Sequence, residues 1–300
     1  MVRQITELRA RVEERHKQLL ARDAQENPAM AFLAKELMQC TLPHSDPGKQ
    51  RVWRRTYNLI TLKIESGSDA RTDELLGIPY GIIPRLLLFY INTEAIRTRD
   101  RKIVFGRNLS DFMRKIGLNP RGHGKRSDYK RMIEQATRLF TARITFVDER
   151  QERDLLPRID MLVAEKQDLW WTPHTAEQPS IWESWIELSE TFFEAITSSP
   201  VPVDLNVLKQ LKRSPLALDL YGWASYRVYL VNREKVPVRI PLRALKEQFG
   251  AEYSHQTEFN RKFKSAMLKV KAAYPALNYT LEEGSITLHP SPTAIPSRDL

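Results

Sequence analysis

The sequence predicts an α+β protein made of two tandem winged-helix domains related by an internal pseudo-repeat. Three observations carry this. The second half of the 300 residues replays the first, roughly 130 positions later. Each copy runs long helix, short strand, short helix, turn, basic helix, hairpin, the order in which a third helix can enter a nucleic-acid groove while a hairpin grips the backbone. The formal charge is +10 and the sequence pI about 9.6, which favours a polyanionic partner. In the alignment of the copies Pro84 answers Pro215, Leu109 answers Leu242, Phe112 answers Leu245 and Gly117 answers Gly250. Further on, Tyr129, Ile133, Ala136 and Phe140 answer Phe259, Phe263, Ala266 and Val270.

The elements follow in order. Residues 2–22 place Ile5, Leu8, Val12 and Leu19 on one helical stripe, so 1–50 is read as an N-terminal helical arm. Residues 56–65 alternate apolar and polar, which suits one strand. A long helix over 82–97 keeps Pro84 in its first turn, where a missing N–H costs nothing. A short strand spans 103–105. Ser110 is a candidate N-cap for a helix ending at Gly117. The run 119–124 is a loop, Ser127 caps the basic helix to about 142, and 144–147 with 159–163 form the first hairpin. The stretch 172–179 is the expected linker between a first domain at 51–175 and a second at 176–290. In the second, 182–188 reads as a strand, 189–196 as a helix and 201–203 as an edge strand between prolines. A repeat of the winged helix runs from 214 to 290, and 291–300 is expected to be a disordered tail.

Composition bounds the function. Cys40 is the single cysteine, which excludes intramolecular disulfides and cysteine-based zinc sites and points to a reducing cytosol. The longest apolar run, 86–91, is too short to span a membrane, and Arg3, Glu7 and Arg9 stand where a signal peptide needs an apolar core. No metal or cofactor site and no catalytic group are expected. The run 117–126 lacks the first glycine and the hydroxyl of a phosphate-binding loop and follows a helix instead of a strand. The six histidines form no His-x-His pair, which a nicking enzyme of the rolling-circle type needs beside its tyrosine.

What remains is the chemistry of the two basic helices, read at 100° per residue. In the second, Phe259, Phe263, Ala266, Met267 and Val270 take the core side, and Thr257, Arg261, Lys264, Ser265 and Lys271 the opposite face. Lys262 lies at the rim, within reach of phosphate. In the first, Tyr129, Ile133, Ala136 and Phe140 take the core side; Ser127, Lys130, Arg131, Gln135 and Arg138 face outward. Arg131 and Arg261 then occupy equivalent places, each able to take guanine O6 and N7 bidentately, and Gln135 can read adenine. Lys125 and Arg126, with Arg121, supply phosphate contacts before the first helix. Leu268 interrupts the outer face of the second helix. Trp170, Trp171, Trp182 and Trp185 near the expected linker are read as packing groups.

Several short blocks in fixed order resemble the plasmid-encoded RepA family of replication initiators. They are Leu76-Gly77-Ile78-Pro79-Tyr80-Gly81 with Pro84-Arg85-Leu86-Leu87-Leu88, Thr93-Glu94-Ala95-Ile96-Arg97-Thr98, Leu109-Ser110-Asp111-Phe112-Met113-Arg114, Asp168-Leu169-Trp170-Trp171, and Leu211-Lys212-Arg213-Ser214-Pro215-Leu216-Ala217-Leu218-Asp219. The resemblance implies a theta-type plasmid initiator that binds repeated origin sequences (iterons) in double-stranded DNA. It also implies origin opening, recruitment of the host replication initiator and helicase-loading machinery, and a homodimer as an alternative state. The run 121–126 departs from the family's glycine-rich loop. Two other functions share parts of this reading, a sequence-specific transcriptional repressor using the same helices and a rolling-circle nicking relaxase.

Overall fold

The computed structural model describes residues 14, 18, 21, 29–34, 37–38, 41–121, 127–148, 158–169, 183–250 and 253–295. Elements are numbered in chain order among these. The N-terminal strand β1 (Met30–Ala34) is followed by β2 (Val52–Tyr57) and β3 (Ile60–Glu65). The single strand expected over 56–65 is part of a hairpin. Asn58 and Leu59 turn the chain at φ 47° and 61°, the paired left-handed conformation of a type I′ turn. Neither residue is glycine, so the usual turn signal is missing from the sequence.

Helix α1 (Ile82–Thr98) runs as expected and is buried almost all round, from Ile83 to Asn92 without a break. A helix that is apolar on every side belongs in the core. Strand β4 (Lys102–Gly106) and helix α2 (Leu109–Lys115) follow. The cap of α2 is Asn108, whose side chain accepts from the Asp111 N–H at 2.8 Å, two residues earlier than the expected Ser110. Gly117 ends the segment at φ 85°, as the sequence implies. Helix α3 (Asp128–Thr141) is capped by Ser127. Then come β5 (Arg143–Asp148), β6 (Arg158–Leu162), β7 (Ala164–Asp168), β8 (Ser184–Leu188), α4 (Glu190–Ser198) and β9 (Pro200–Asp204). The remaining elements are α5 (Leu205–Leu211), α6 (Pro215–Glu234), β10 (Val238–Pro241), α7 (Leu242–Phe249), α8 (Gln256–Ala273), β11 (Tyr279–Glu282) and β12 (Ser285–Leu288). Ser189 caps α4, and Ser214 caps α6 with Pro215 in the first turn, both standard helix starts.

Every strand pair described is antiparallel. β10 joins the last strand of the β11–β12 hairpin, giving the order β10-β12-β11. Earlier in the chain three strands form a sheet of the order β4-β8-β7. The hairpin expected there, β5–β6, instead extends β2–β3 into a four-stranded sheet ordered β2-β3-β5-β6. The reason is matched alternation. Leu62 opposes Phe146 and Ile64 opposes Ile144, and all four are buried, so one apolar face runs across β3 and β5. β7 reads Ala-Glu-Lys-Gln-Asp with no apolar alternation, which hid it from the sequence analysis.

The boundary expected at 175/176 falls between β7 and β8, which pair with each other. The linker 172–179, with Trp170, Trp171 and Trp182, lies outside the described residues; Trp185 on β8 is half-buried with the Lys102 ammonium 4.6 Å from its ring centroid. The edge strand at 201–203 is β9, and it pairs with β1 in a two-stranded sheet. The helix expected at 2–22 lies outside the described residues except at Glu14, Gln18 and Ala21, which are helical. The disorder expected from 291 does not begin there. Ser291 and Ile295 are buried, and Asn232 holds Ser291 by its carbonyl at 2.7 Å and its N–H at 3.0 Å. One continuous apolar core runs from β1 to β12 through α1 and α6.

Candidate nucleic-acid interface

Helix α8 meets its sequence expectation closely. Phe259, Phe263, Ala266, Met267 and Val270 are buried, and Phe263, Phe259 and Tyr253 form a run of aromatic contacts beneath it. Steps of three and four along a 3.6-residue helix then leave Thr257, Arg261, Lys264 and Leu268 on one outward stripe. All four are exposed, as are Ser265 and the rim residues Lys262 and Lys269. Lys271 is also exposed but is engaged: its ammonium donates to the carbonyls of Pro275 at 2.8 Å and Leu277 at 2.7 Å. It closes the turn after the helix.

Helix α3 is turned relative to its expectation. Its buried residues are Met132, Gln135, Ala136, Leu139 and Phe140, while Tyr129 is 38% exposed and Ile133 half-buried. The buried stripe is therefore rotated from the one expected through Tyr129 and Ile133. Glu134 is exposed. Arg131 is half-buried and lies 3.7 Å from the Asp128 carboxylate. Lys130 is exposed.

Three residues expected to face DNA from α3 are occupied by the fold. Ser127 is buried and accepts from the Lys130 N–H at 3.3 Å as the helix cap. Gln135 is 3% exposed and its Oε1 accepts from the Tyr80 N–H at 2.8 Å. Arg138 donates to the Ile78 carbonyl at 3.2 Å, pairs with Glu134 at 2.6 Å and Asp46 at 3.7 Å, and lies over the Tyr80 ring. Gly77, at φ 96°, admits this guanidinium, since a Cβ there would stand 2.9 Å from it. Gln135 and Arg138 therefore anchor the 77–80 segment to α3. Angular reading alone could not foresee this, because it assumes polar groups point outward. Lys125 and Arg126 lie outside the described residues. Arg121 is exposed in the loop before α3, where its N–H donates to Asn119 and Asn119 in turn donates to Asp128.

The expectation that the second hairpin grips phosphate fits its tip poorly. The β11–β12 turn carries exposed Glu282 and Glu283, and Arg239 beside it is paired with Glu282 at 3.1 Å.

An ion-pair cluster joins helix α1 to helix α6. Arg85 on α1 meets Asp219 on α6 side-on, through Nε to Oδ1 and Nη2 to Oδ2, both at 2.8 Å. The same guanidinium donates to the carbonyls of Gly81, Leu42 and Pro43. His44 Nε2 lies 2.7 Å from Asp219 Oδ2. Burial alone would raise the Asp219 carboxyl, but the charge of Arg85 and the hydrogen bonds of His44 and Arg85 outweigh it and hold it well below the ordinary carboxylate range. Burial lowers the His44 imidazole. A second link lies nearby, where the Arg55 guanidinium on β2 donates to Thr41 Oγ1 at 2.8 Å and to the Gln248 carbonyl on α7 at 3.1 Å. Arg85 and Asp219 both fall in the sequence blocks that carry the family resemblance. The sequence marked them, but only the structure shows that they meet.

Residues 78–239 match the family described as Plasmid encoded RepA protein. In sequence, no curated protein matches the chain. Among solved structures, a crystal structure of selenomethionine domains 2 and 3 of RctB is similar at TM-score 0.50 and 9% identity, covering 84% of this chain and 94% of that one. Another crystal structure of RctB domains 2–3 gives TM-score 0.48 and 11% identity, covering 82% and 92%. At 9% identity the first likeness is one of mixed α/β fold alone. The family match takes in both Arg85 and Asp219 and spans more than half of the sequence, and the chain belongs to the plasmid-encoded RepA proteins, a family of replication initiators.

Proposed function

We propose that this chain is an origin-binding initiator that grips repeated double-stranded sites with two tandem winged helices, opens the adjoining duplex and recruits the host initiator and helicase-loading machinery, with no catalytic chemistry of its own. The observation that carries the reading is the outward stripe of α8, cationic and exposed, on a helix whose other face is wholly core. The like-ordered sheets β4-β8-β7 and β10-β12-β11 support two related units. On this reading the first unit extends through β8, and the second begins near α5. The two surfaces are unequal. α8 reads bases through Arg261 with Lys264, Thr257 and Ser265 beside it, and Lys262 holds phosphate. α3, with Glu134 outward, contributes Lys130, Arg131 and the Arg121, Lys125 and Arg126 loop mainly to backbone contact. Because the units are joined head to tail, the site is direct and non-palindromic, with groove contacts about 10–10.5 bp apart.

Hydroxyl-radical footprinting of the wild-type chain on DNA adjoining its own gene tests this. Two protected patches one helical turn apart are expected. Arg261→Ala should cost about 1–3 kcal/mol and relax preference at one base pair, whereas Lys262→Ala should weaken all sequences alike. With some five or six cations on phosphate, the log–log salt slope should be about −4 to −6. A single short patch, or an Arg261→Ala variant that selects an unchanged sequence, overturns the reading. Permanganate reactivity of an AT-rich segment beside the site separates an initiator from a repressor, which need not melt DNA.

A further inference from the structure

Leu268 is 65% exposed and lies on the α8 stripe between cations. A single exposed leucine needs no explanation by itself, but its surroundings narrow what it can meet. Thr257, Arg261 and Lys264 share its stripe, and Ser265, Lys269 and Lys271 border it, all exposed. A partner helix would need apolar residues one and two turns away on the same stripe; toward the N-terminus these positions carry Lys264 and Arg261, and toward the C-terminus only the single methyl of Ala272. The surface suits a ligand that is anionic throughout and apolar at one spot. The major groove is such a ligand, because thymine presents a C5-methyl group among phosphates and hydrogen-bonding base edges.

We infer that Leu268 is a specificity-determining residue that takes the C5-methyl of a thymine in the major groove. The inference rests on the DNA-reading function proposed for α8. Leu268 stands seven residues after Arg261, which is about 10 Å along the helix axis, or about three base-pair steps of about 3.4 Å. The thymine therefore lies about three base pairs from the position that Arg261 reads. Burying one methyl group against a leucine is worth roughly a three- to tenfold change in affinity.

The test uses the full chain and the duplex it selects, with each thymine replaced in turn by deoxyuridine, which removes only the methyl. One replacement, about three base pairs from the position relaxed by Arg261→Ala, should weaken the wild type roughly three- to tenfold. Leu268→Ala should weaken the unmodified duplex by a similar factor and bind the thymine and uracil duplexes equally. Leu268→Met, still apolar and of like reach, should retain the discrimination. An unchanged thermal midpoint of the variants shows that the fold is intact. If wild type and Leu268→Ala respond alike to every deoxyuridine while Arg261→Ala still relaxes one base, the methyl contact is wrong and the α8 interface stands. If the chain selects no sequence at all, both fall together.

Discussion

Asp219 keeps its charge where water does not reach because two side chains from the first half of the chain, Arg85 and His44, meet it, and that arrangement fixes how stability responds to pH. His44 is held neutral by burial, whereas in the unfolded chain it takes up a proton near the ordinary value of 6.5. Below that value the unfolded state binds the proton that the fold refuses, so stability present above it is lost as pH falls. Asp219 acts lower. Its folded value lies beneath the ordinary 3.8, so its contribution is present above that value and is lost on acidification through it. The urea midpoint should therefore be level above pH 7, decline between about 6.5 and 5, and fall again below about 4. His44→Gln, which keeps a donor for Asp219, should remove the first decline and keep the second. A wild-type midpoint unchanged from pH 7.5 to 5 would contradict this account of His44.

At the scale of elements, the two basic helices show how burial decides function. Both are amphipathic, yet only α8 presents the face its sequence implies, because its inward residues are all apolar. In α3 the inward face accepts Gln135, whose hydrogen bond to Tyr80 satisfies it, and the helix turns to bury Met132 and Leu139 instead of Tyr129. The β2–β3 hairpin holds the opposite lesson. Leu59 sits at φ 61° with 53% of its surface exposed, so it bears left-handed strain for little packing. Leu59→Gly should raise unfolding stability by up to about 1 kcal/mol, since the left-handed penalty of a side chain slightly exceeds the entropy that glycine loses. Chemical denaturation measures it, and a loss of more than about 1 kcal/mol would mean that Leu59 packs in a way its exposure does not show.

For the whole molecule, the Arg85–Asp219 pair and the Arg55–Gln248 bond tie elements from both halves of the chain into one core. Arg85→Ala leaves a buried carboxylate and should cost about 3–5 kcal/mol in a urea titration. Arg85→Met combined with Asp219→Leu should recover a large part of that loss, because two apolar side chains leave no uncompensated charge. If the double variant were as unstable as the single one, the cluster would owe its effect to packing and the carbonyl contacts of Arg85. The shared core also fixes the distance between α3 and α8, which on the proposed function is the spacing of the site.

The sequence by itself determined the long helix α1, the basic helices α3 and α8, the cap at Ser127, the core face of α8 and membership of the RepA proteins. These depend on local periodicity, hydrogen bonding within a few residues, or short ordered blocks. The tertiary structure decided the rest. Hairpin β5–β6 joins β2–β3 because buried faces match across strands far apart in sequence. β7 forms because β8 offers it a partner, although its own residues are polar. Gln135 and Arg138 turn inward because the 77–80 segment brings backbone and aromatic groups to meet them. Arg85 and Asp219, more than a hundred residues apart, pair because α1 and α6 share one core, and no local pattern encodes a contact between charges that only the fold brings together.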